Sequence, residues 1–556
     1  MKVDRRTFMA GSAVLAAAGT ASASTQTSGG GVAEKKALDK LEDYINQHRA
    51  DWGIPGMTAC VVNRDGFEGI VCSGFADVDK DVRVGPDHLF QVGSITKMMT
   101  ALTAWSLIDE GTLSPETRLR DAMPEIKVQG GDEITLQHLL NHTSGLPRSI
   151  NMYHDDGLWT GPAAGTHYAY SNLGYRLAGA IVARADGRSY PKCVEERVLR
   201  PIGMINSVGA MRSIDRPRYA KGYQPLLLDR PSARPAPMVD APWVDFDGAS
   251  GCVAATASDM AKFLKFLLGL AEGKGGDVFS NETAVRFLAD PASRNGNGFY
   301  GNGVSRVKYG GRDYLHHTGG MVSFSSALHV DPEAGVAAFA SGNVHYARDY
   351  RPRDVTILGC RLLHAATTGV ALSSGRSTKS SVSEPSKYAG VYISEGGDSF
   401  EIAAASNSIS MHRSGASAAM QSIGSNYFQC DDPAFAETGL HFELKEGKAI
   451  RAWAGGVEYL TDPSTGYKET PAAVAGLEGY YDNDDRWGLP TRVFARGDKL
   501  CLTSANYTSM WRRKDNGDWR LDTGGPSAEW LRFDTFIDGK PQRVIGSGEV
   551  SYRRFS

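Results

Sequence analysis

Ser94-Ile95-Thr96-Lys97 sets a hydroxyl and an amine three residues apart, just after Gly93. On a helix, residues i and i+3 share a face, so the Lys97 amine can reach the Ser94 oxygen. A serine hydroxyl is a weak nucleophile until a neighbouring base takes its proton. An amine held within hydrogen-bond reach, its pKa lowered by burial, can be that base. The chemistry this pair suggests is acyl transfer to serine. Ser and Lys are common residues, so the pair needs partners elsewhere in the chain.

The elements that would position it follow from periodicity. Glu34 to His48 reads as an amphipathic helix, and Met57 to Asp79 as two strands around a turn. Ile95, Met98, Met99, Leu102 and Trp105 recur at helical spacing after Ser94, and Gly111 stands as a C-cap. Further helical patterns lie at Leu136–Asn141, Leu173–Ala185, Ser258–Leu270 and Val355–Ala366, with strand-like segments from Gly303 to Asn343. Strands at both ends with helices between them predict an antiparallel sheet flanked by helices, with a helical subdomain. The core of this region spans residues 34–366.

Thr367 to Lys387 is rich in Ser and Thr and reads as a linker. Beyond it, alternating apolar and polar residues with Gly and aromatics predict all-β structure. Gly390-Val391-Tyr392 matches Gly479-Tyr480-Tyr481, and His441-Phe442-Glu443 matches Arg532-Phe533-Asp534. The offset of about ninety residues predicts two similar barrel-like domains, 388–465 and 474–556, with one larger sandwich as the alternative.

Arg5-Arg6 precedes Phe8, a weakly apolar Ala-rich run and Ala21-Ser22-Ala23. Residues 1–23 read as a twin-arginine export signal, which predicts a periplasmic or secreted protein. The run is shorter than the ~18–20 apolar residues that span a bilayer, so no transmembrane anchor is expected in the mature form. Residues 24–33 read as a flexible leader. The net charge of −3, with 22% charged residues, gives no basic stripe for nucleic acid. Seven cysteines without C-x-x-C spacing argue against a zinc site or a disulfide framework. Cys60 and Cys72 flank the turn near Asp65-Gly66 and can face each other.

Four stretches downstream carry further polar groups. They are Ile134 to Leu146, containing His138 and His142-Thr143-Ser144-Gly145; Tyr170-Ser171-Asn172; Gly248 to Met260; and His317-Thr318-Gly319-Gly320. His138 and His142 have a metal-ligand spacing, but Leu139 stands where a zinc protease helix needs Glu. Gly296 to Gly301 fits G-x-G-x-x-G without a strand-then-helix context and reads as a loop. Taken alone, Tyr170 can be a core tyrosine and Asn172 a helix cap.

Together, S-x-x-K, Y-x-N and the H-T-G triplet resemble the serine hydrolases related to class C β-lactamases, D-alanyl-D-alanine carboxypeptidases and D-aminopeptidases. The resemblance covers residues 34–366 and implies a β-lactamase/transpeptidase-like α/β (α+β) fold. It implies that Ser94 is the acylated nucleophile and that Lys97 and Tyr170 share the base role, without saying which takes the proton. Asn172 would bind the substrate carbonyl and Lys97. The Ser94 and Gly320 N–H groups would form an oxyanion hole beside Gly319. His317 stands where many relatives carry Lys, which anchors a substrate carboxylate. The implied activity is hydrolysis of small amides or peptides, as in D-aminopeptidases with appended β domains. The alternatives are an esterase, a β-lactamase or carboxypeptidase, and a vestigial peptide-binding or wall-binding protein. No metal or organic cofactor is implied, and the oligomeric state stays open.

Overall fold

The computed structural model describes residues 23–554, apart from 155–156, 231–234, 290, 295, 297, 346–351, 371–381, 425, 431, 484–487, 506–507 and 524. The export signal and most of the linker lie outside the described residues. The chain divides into two compact units. The first takes in the described residues of 1–224, 237–377 and 526–528, and the second those of 225–236, 378–525 and 529–556.

The first unit is built on one large antiparallel sheet. Along its main path the strands are β1 (Ser24–Ser28), β2 (Gly56–Asn63), β3 (Glu68–Asp77), β4 (Ala292–Ser293), β5 (Phe299–Gly301), β6 (Val304–Tyr309), β7 (Arg312–Met321), β8 (Phe324–Asp331) and β9 (Val336–Gly342), with the short strand Val82–Arg83 paired to β3. They lie side by side as β1-β3-β2-β9-β8-β7-β6-β5-β4. Strands from both ends of this unit thus meet at β2 and β9, where Val61 pairs with Ala338. β2, β8 and β9 are buried along their whole length, because helices cover both faces.

The helices used below are α1 (Val32–Trp52), α2 (Thr96–Asp109), α3 (Leu136–Leu140), α4 (Asn172–Asp186), α5 (Ala257–Ala271) and α6 (Arg353–Thr368). Leu38, Leu41 and Ile45 of α1 pack with Val355, Leu362 and Leu363 of α6 on Val61, Val71 and Ala338 of the sheet. Each such side chain, fully buried, contributes roughly 1.5–3 kcal/mol. The expected helices are all present. α1 runs longer at both ends than its apolar pattern, closed by Gly53 in the left-handed conformation.

Two expectations are corrected. The leader is not wholly loose, since Ser24–Ser28 pairs with β3 from Ser24–Cys72 to Ser28–Glu68. Its five side chains are exposed, and backbone pairing, with a Thr25 hydroxyl bond to the Glu42 carboxylate, holds it, so the polar sequence gives no sign of it. Cys60 and Cys72 are free and buried. In register, Cys60 faces Ile70 and Cys72 faces Thr58.

His48 on α1 is 2% exposed, and neither ring nitrogen has a hydrogen-bond partner. Burial pushes its pKa down to about 4. Between that value and the ordinary 6.5 the unfolded chain binds a proton that the folded chain does not, so stability falls as pH drops through this window. The loss reaches about 3 kcal/mol at its lower end. His48→Phe should flatten the denaturant midpoint measured between pH 7 and pH 4; an unchanged slope would assign the acid sensitivity elsewhere.

The second unit holds two sheets. One has nine strands from Gly390 to Leu460, and the other closes as an eight-stranded barrel from Gly479 to Arg553. The repeat is visible in the cores. Tyr392 donates its hydroxyl hydrogen bond to the Tyr388 carbonyl at 2.8 Å, and Tyr481 donates to the Leu477 carbonyl at 2.9 Å. Both rings are fully buried.

Candidate active site

The site begins where the chain enters α2. Gly93–Ile95 forms a 3-10 turn that runs directly into the helix, and Ser94 sits half-buried on it. Gly93 has φ +54°, a conformation that glycine adopts without strain. A side-chain carbon there would fall 2.6 Å from the Gly320 nitrogen. One on Gly319 would fall 1.9 Å from the Val92 carbonyl oxygen. The two glycines let β7 pass close to the serine turn, which brings the backbone of Gly320 against that of Gly93.

Lys97 lies one turn on and is fully buried. Its amine donates to Ser94 Oγ at 3.0 Å, Asn172 Oδ1 at 2.8 Å and the Ser250 carbonyl at 2.7 Å. Three acceptors in fixed directions set the amine against the serine. The Nζ also lies 4.9 Å from the centre of the Tyr170 ring. Burial lowers the Lys97 pKa, the Tyr170 charge and hydrogen bond oppose this, and the Arg148 and Arg176 charges lower it further.

Tyr170 is driven the other way by burial. The Lys97 charge and hydrogen bond, a Ser94 hydrogen bond and the Arg148 charge outweigh that, so its pKa lies below the ordinary tyrosine value. The two groups approach each other in acidity, and a proton can pass between them and Ser94 at low cost.

Asn172 is the first residue of α4, but the cap is Ser171, whose hydroxyl accepts the Gly174 N–H at 2.9 Å. This frees the Asn172 amide to bridge Lys97 and Ser149, donating from Nδ2 to Ser149 Oγ at 2.9 Å. His317 is buried on β7. Its Nδ1 pairs with the Thr318 carbonyl at 2.7 Å, so Nδ1 carries the proton and Nε2 accepts from the Tyr300 hydroxyl at 3.0 Å. Burial, then the Lys97 charge, holds this ring neutral. Both nitrogens are used inside the protein.

Ser94, Lys97, Tyr170 and Asn172 are thus brought together, Gly319 and Gly320 lie against the serine turn, and His317 stands behind Tyr300. Sequence reasoning missed the Ser250 carbonyl, Ser149 and Arg148. Ser250 lies in a stretch already singled out, but a backbone acceptor leaves no trace in residue type. His138 and His142 hold no metal cluster; among the described residues no such group of ligands forms. No helix among them is long and apolar enough to cross a membrane.

This region matches known proteins. A family model described as Beta-lactamase matches residues 41–358. Penicillin-binding protein 4 of Amycolatopsis lactamdurans is 29% identical over 323 residues, 53% of this chain and 83% of that protein. Protein flp of Staphylococcus aureus is 26% identical over 330 residues, 55% of this chain and 63% of its own length. Among solved structures, the octameric penicillin-binding protein homologue from Pyrococcus abyssi aligns with TM-score 0.52 at 20% identity, over 76% of this chain and 99% of that one. A class C beta-lactamase aligns with TM-score 0.51 at 19% identity, over 62% of this chain and 99% of that one. These two share the fold. The family match takes in more than half of the chain and contains every residue of the cluster around Ser94; the chain belongs to the beta-lactamase family and is a serine hydrolase.

Proposed function

We propose that this protein hydrolyses small amides or peptides through an acyl-enzyme on Ser94, as an exported enzyme. The observation that carries the reading is the buried Lys97 amine, bonded at once to Ser94 Oγ, Asn172 Oδ1 and the Ser250 carbonyl. Lys97 and Tyr170 take the Ser94 proton as Oγ attacks the carbonyl carbon, and return it to the leaving amine. The backbone N–H groups of Ser94 and Gly320 receive the developing oxyanion, each worth about 3–4 kcal/mol of barrier. Water then attacks the ester and frees Ser94. The neutral, internally bonded His317 puts no cation at the first position of the triplet. That favours peptides, including those with D-residues, over substrates anchored by a carboxylate at this point. The twin-arginine segment supports a periplasmic or secreted location.

A panel of D- and L-aminoacyl anilides, p-nitrophenyl esters and a chromogenic cephalosporin tests the substrate class. The expected result is turnover of an aminoacyl anilide with the highest kcat/KM. Fast cephalosporin turnover would overturn the reading of His317, and turnover of esters alone would make the protein an esterase.

A further inference from the structure

Segment 142–149, His142-Thr143-Ser144-Gly145-Leu146-Pro147-Arg148-Ser149, runs beside 165–173 and binds it through a series of hydrogen bonds outside any helix or strand. The Thr143 carbonyl accepts the Gly165 N–H at 2.7 Å, and the His142 carbonyl accepts the Ala169 N–H at 2.8 Å. The Pro147 carbonyl accepts the Ser171 hydroxyl at 2.6 Å, and the Arg148 carbonyl accepts the Asn172 N–H at 2.6 Å. Ser149 Oγ takes the Asn172 amide. One of these bonds is made by a ring: His142 Nδ1 accepts the Ser171 N–H at 3.0 Å. That N–H lies between the two residues whose side chains matter, Tyr170 and Asn172.

A ring nitrogen that accepts carries no proton, so the His142 proton is on Nε2. Burial, then the charges of Lys97 and Arg148, keeps the ring neutral. Nε2 is buried without a hydrogen-bond partner. The ring lies 4.2 Å from that of Tyr170, tilted by 38°, and 4.7 Å from Tyr300 and 5.0 Å from Tyr175. The His142 backbone is in the left-handed region, φ +58°, where a non-glycine residue costs roughly 1–2 kcal/mol. A strained backbone, a fixed tautomer and an aromatic contact all converge on the tyrosine beside Ser94.

We propose that His142 is a positioning residue for Tyr170: its neutral ring, bonded to the Ser171 N–H and laid against the Tyr170 ring, holds the phenol oxygen to Lys97 and Ser94. The proposal rests on the acyl-enzyme reading above. Several groups face Tyr170. Lys97 and Ser94 come from α2 and its leading turn, Arg148 from the 142–149 segment, Tyr168 from the 165–173 stretch that carries Tyr170 itself, Tyr175 from α4 and Tyr300 from β5. Arg294 faces Tyr168. The Lys97 and Arg148 cations and the Ser94 hydrogen bond favour the ionised phenol. If the phenol swings away from them its ionisation moves up in pH, and the pH at which Ser94 acylates at half its maximal rate moves up with it.

The test compares His142→Asn with His142→Gly by their rates of fluorophosphonate labelling from pH 5 to pH 10. Asn tolerates the left-handed backbone and places an acceptor where Nδ1 stands, whereas Gly tolerates the backbone and offers no acceptor. The glycine variant should react about thirtyfold more slowly with its half-maximal pH raised by about one unit, and the asparagine variant within about tenfold of wild type at the wild-type half-maximal pH. Equal rates and equal profiles for the two variants would overturn the proposal. If the glycine variant does not fold, His142→Gln, with the same groups at the wrong reach, must show its profile. A folded wild type that forms no adduct at Ser94 overturns the acyl-enzyme reading and this one with it. A wild type that reacts no faster than the glycine variant overturns this one alone.

Discussion

Lys97→Met should leave the fold standing and slow acylation of Ser94 by about 10³-fold or more. Methionine fills the same buried space, so the loss is one of charge and donors. Ser94 Oγ loses the amine that donates to it and orients it at 3.0 Å. Asn172 loses the donor that fixes its amide, and the Ser250 carbonyl is left unpaired. Tyr170 loses the cation that opposes its burial, so its pKa rises and it fails as a base near neutral pH. Two orphaned acceptors cost about 1–3 kcal/mol each, offset by removal of a buried charge, so the melting temperature should move by only a few degrees. Lys97→Arg should fail as well, because a guanidinium does not give up its proton. Rates of fluorophosphonate labelling measure the effect. A Met variant within tenfold of wild type would remove Lys97 from the chemistry.

Gly319→Ala is expected to lower acylation by about 10²-fold or more, although the added methyl touches no substrate-binding side chain. The new carbon would stand 1.9 Å from the Val92 carbonyl oxygen, so the backbone must give. Val92 is held on both sides: its N–H donates to the Val253 carbonyl at 3.1 Å, and its carbonyl accepts the Ile95 N–H at 3.3 Å. Pushing Val92 away moves the Gly93–Ile95 turn and Ser94 with it. A shift of about 1 Å at a reacting atom costs on the order of 10²-fold, and overpacking here should cost about 1–3 kcal/mol of stability. The split between the two separates geometry from unfolding: labelling should be slow at temperatures where circular dichroism shows the variant fully folded. Wild-type labelling by a folded variant would contradict the close approach of β7 to the serine turn.

Much of the site was legible because side-chain types carry it. Ser94 and Lys97 announce each other through helical spacing, and Tyr170 and Asn172 are recognisable by pattern. The rest was not, because backbone atoms or long-range contacts carry it. The Ser250 carbonyl, the carbonyls of Pro147 and Arg148 and the strand at Ser24–Ser28 belong to no residue type. The engagement of His317 Nε2 depends on Tyr300, which reaches it from β5. Helix existence followed the apolar period, while helix ends did not: Ser94 leads in on a 3-10 turn, and Ser171, not Asn172, caps α4. In the β region the repeated Gly-x-Tyr pattern marked two tyrosines that make the same bond to a carbonyl four residues upstream. The assignment of 225–230 and 235–236 to the second compact unit had no signal in composition.

The most direct test of the central claim is the mass of the intact protein after reaction with a fluorophosphonate, followed by mapping of the modified peptide. The account predicts one adduct per chain, on Ser94, absent from Ser94→Ala. An adduct on another residue, or one that persists in Ser94→Ala, would contradict it.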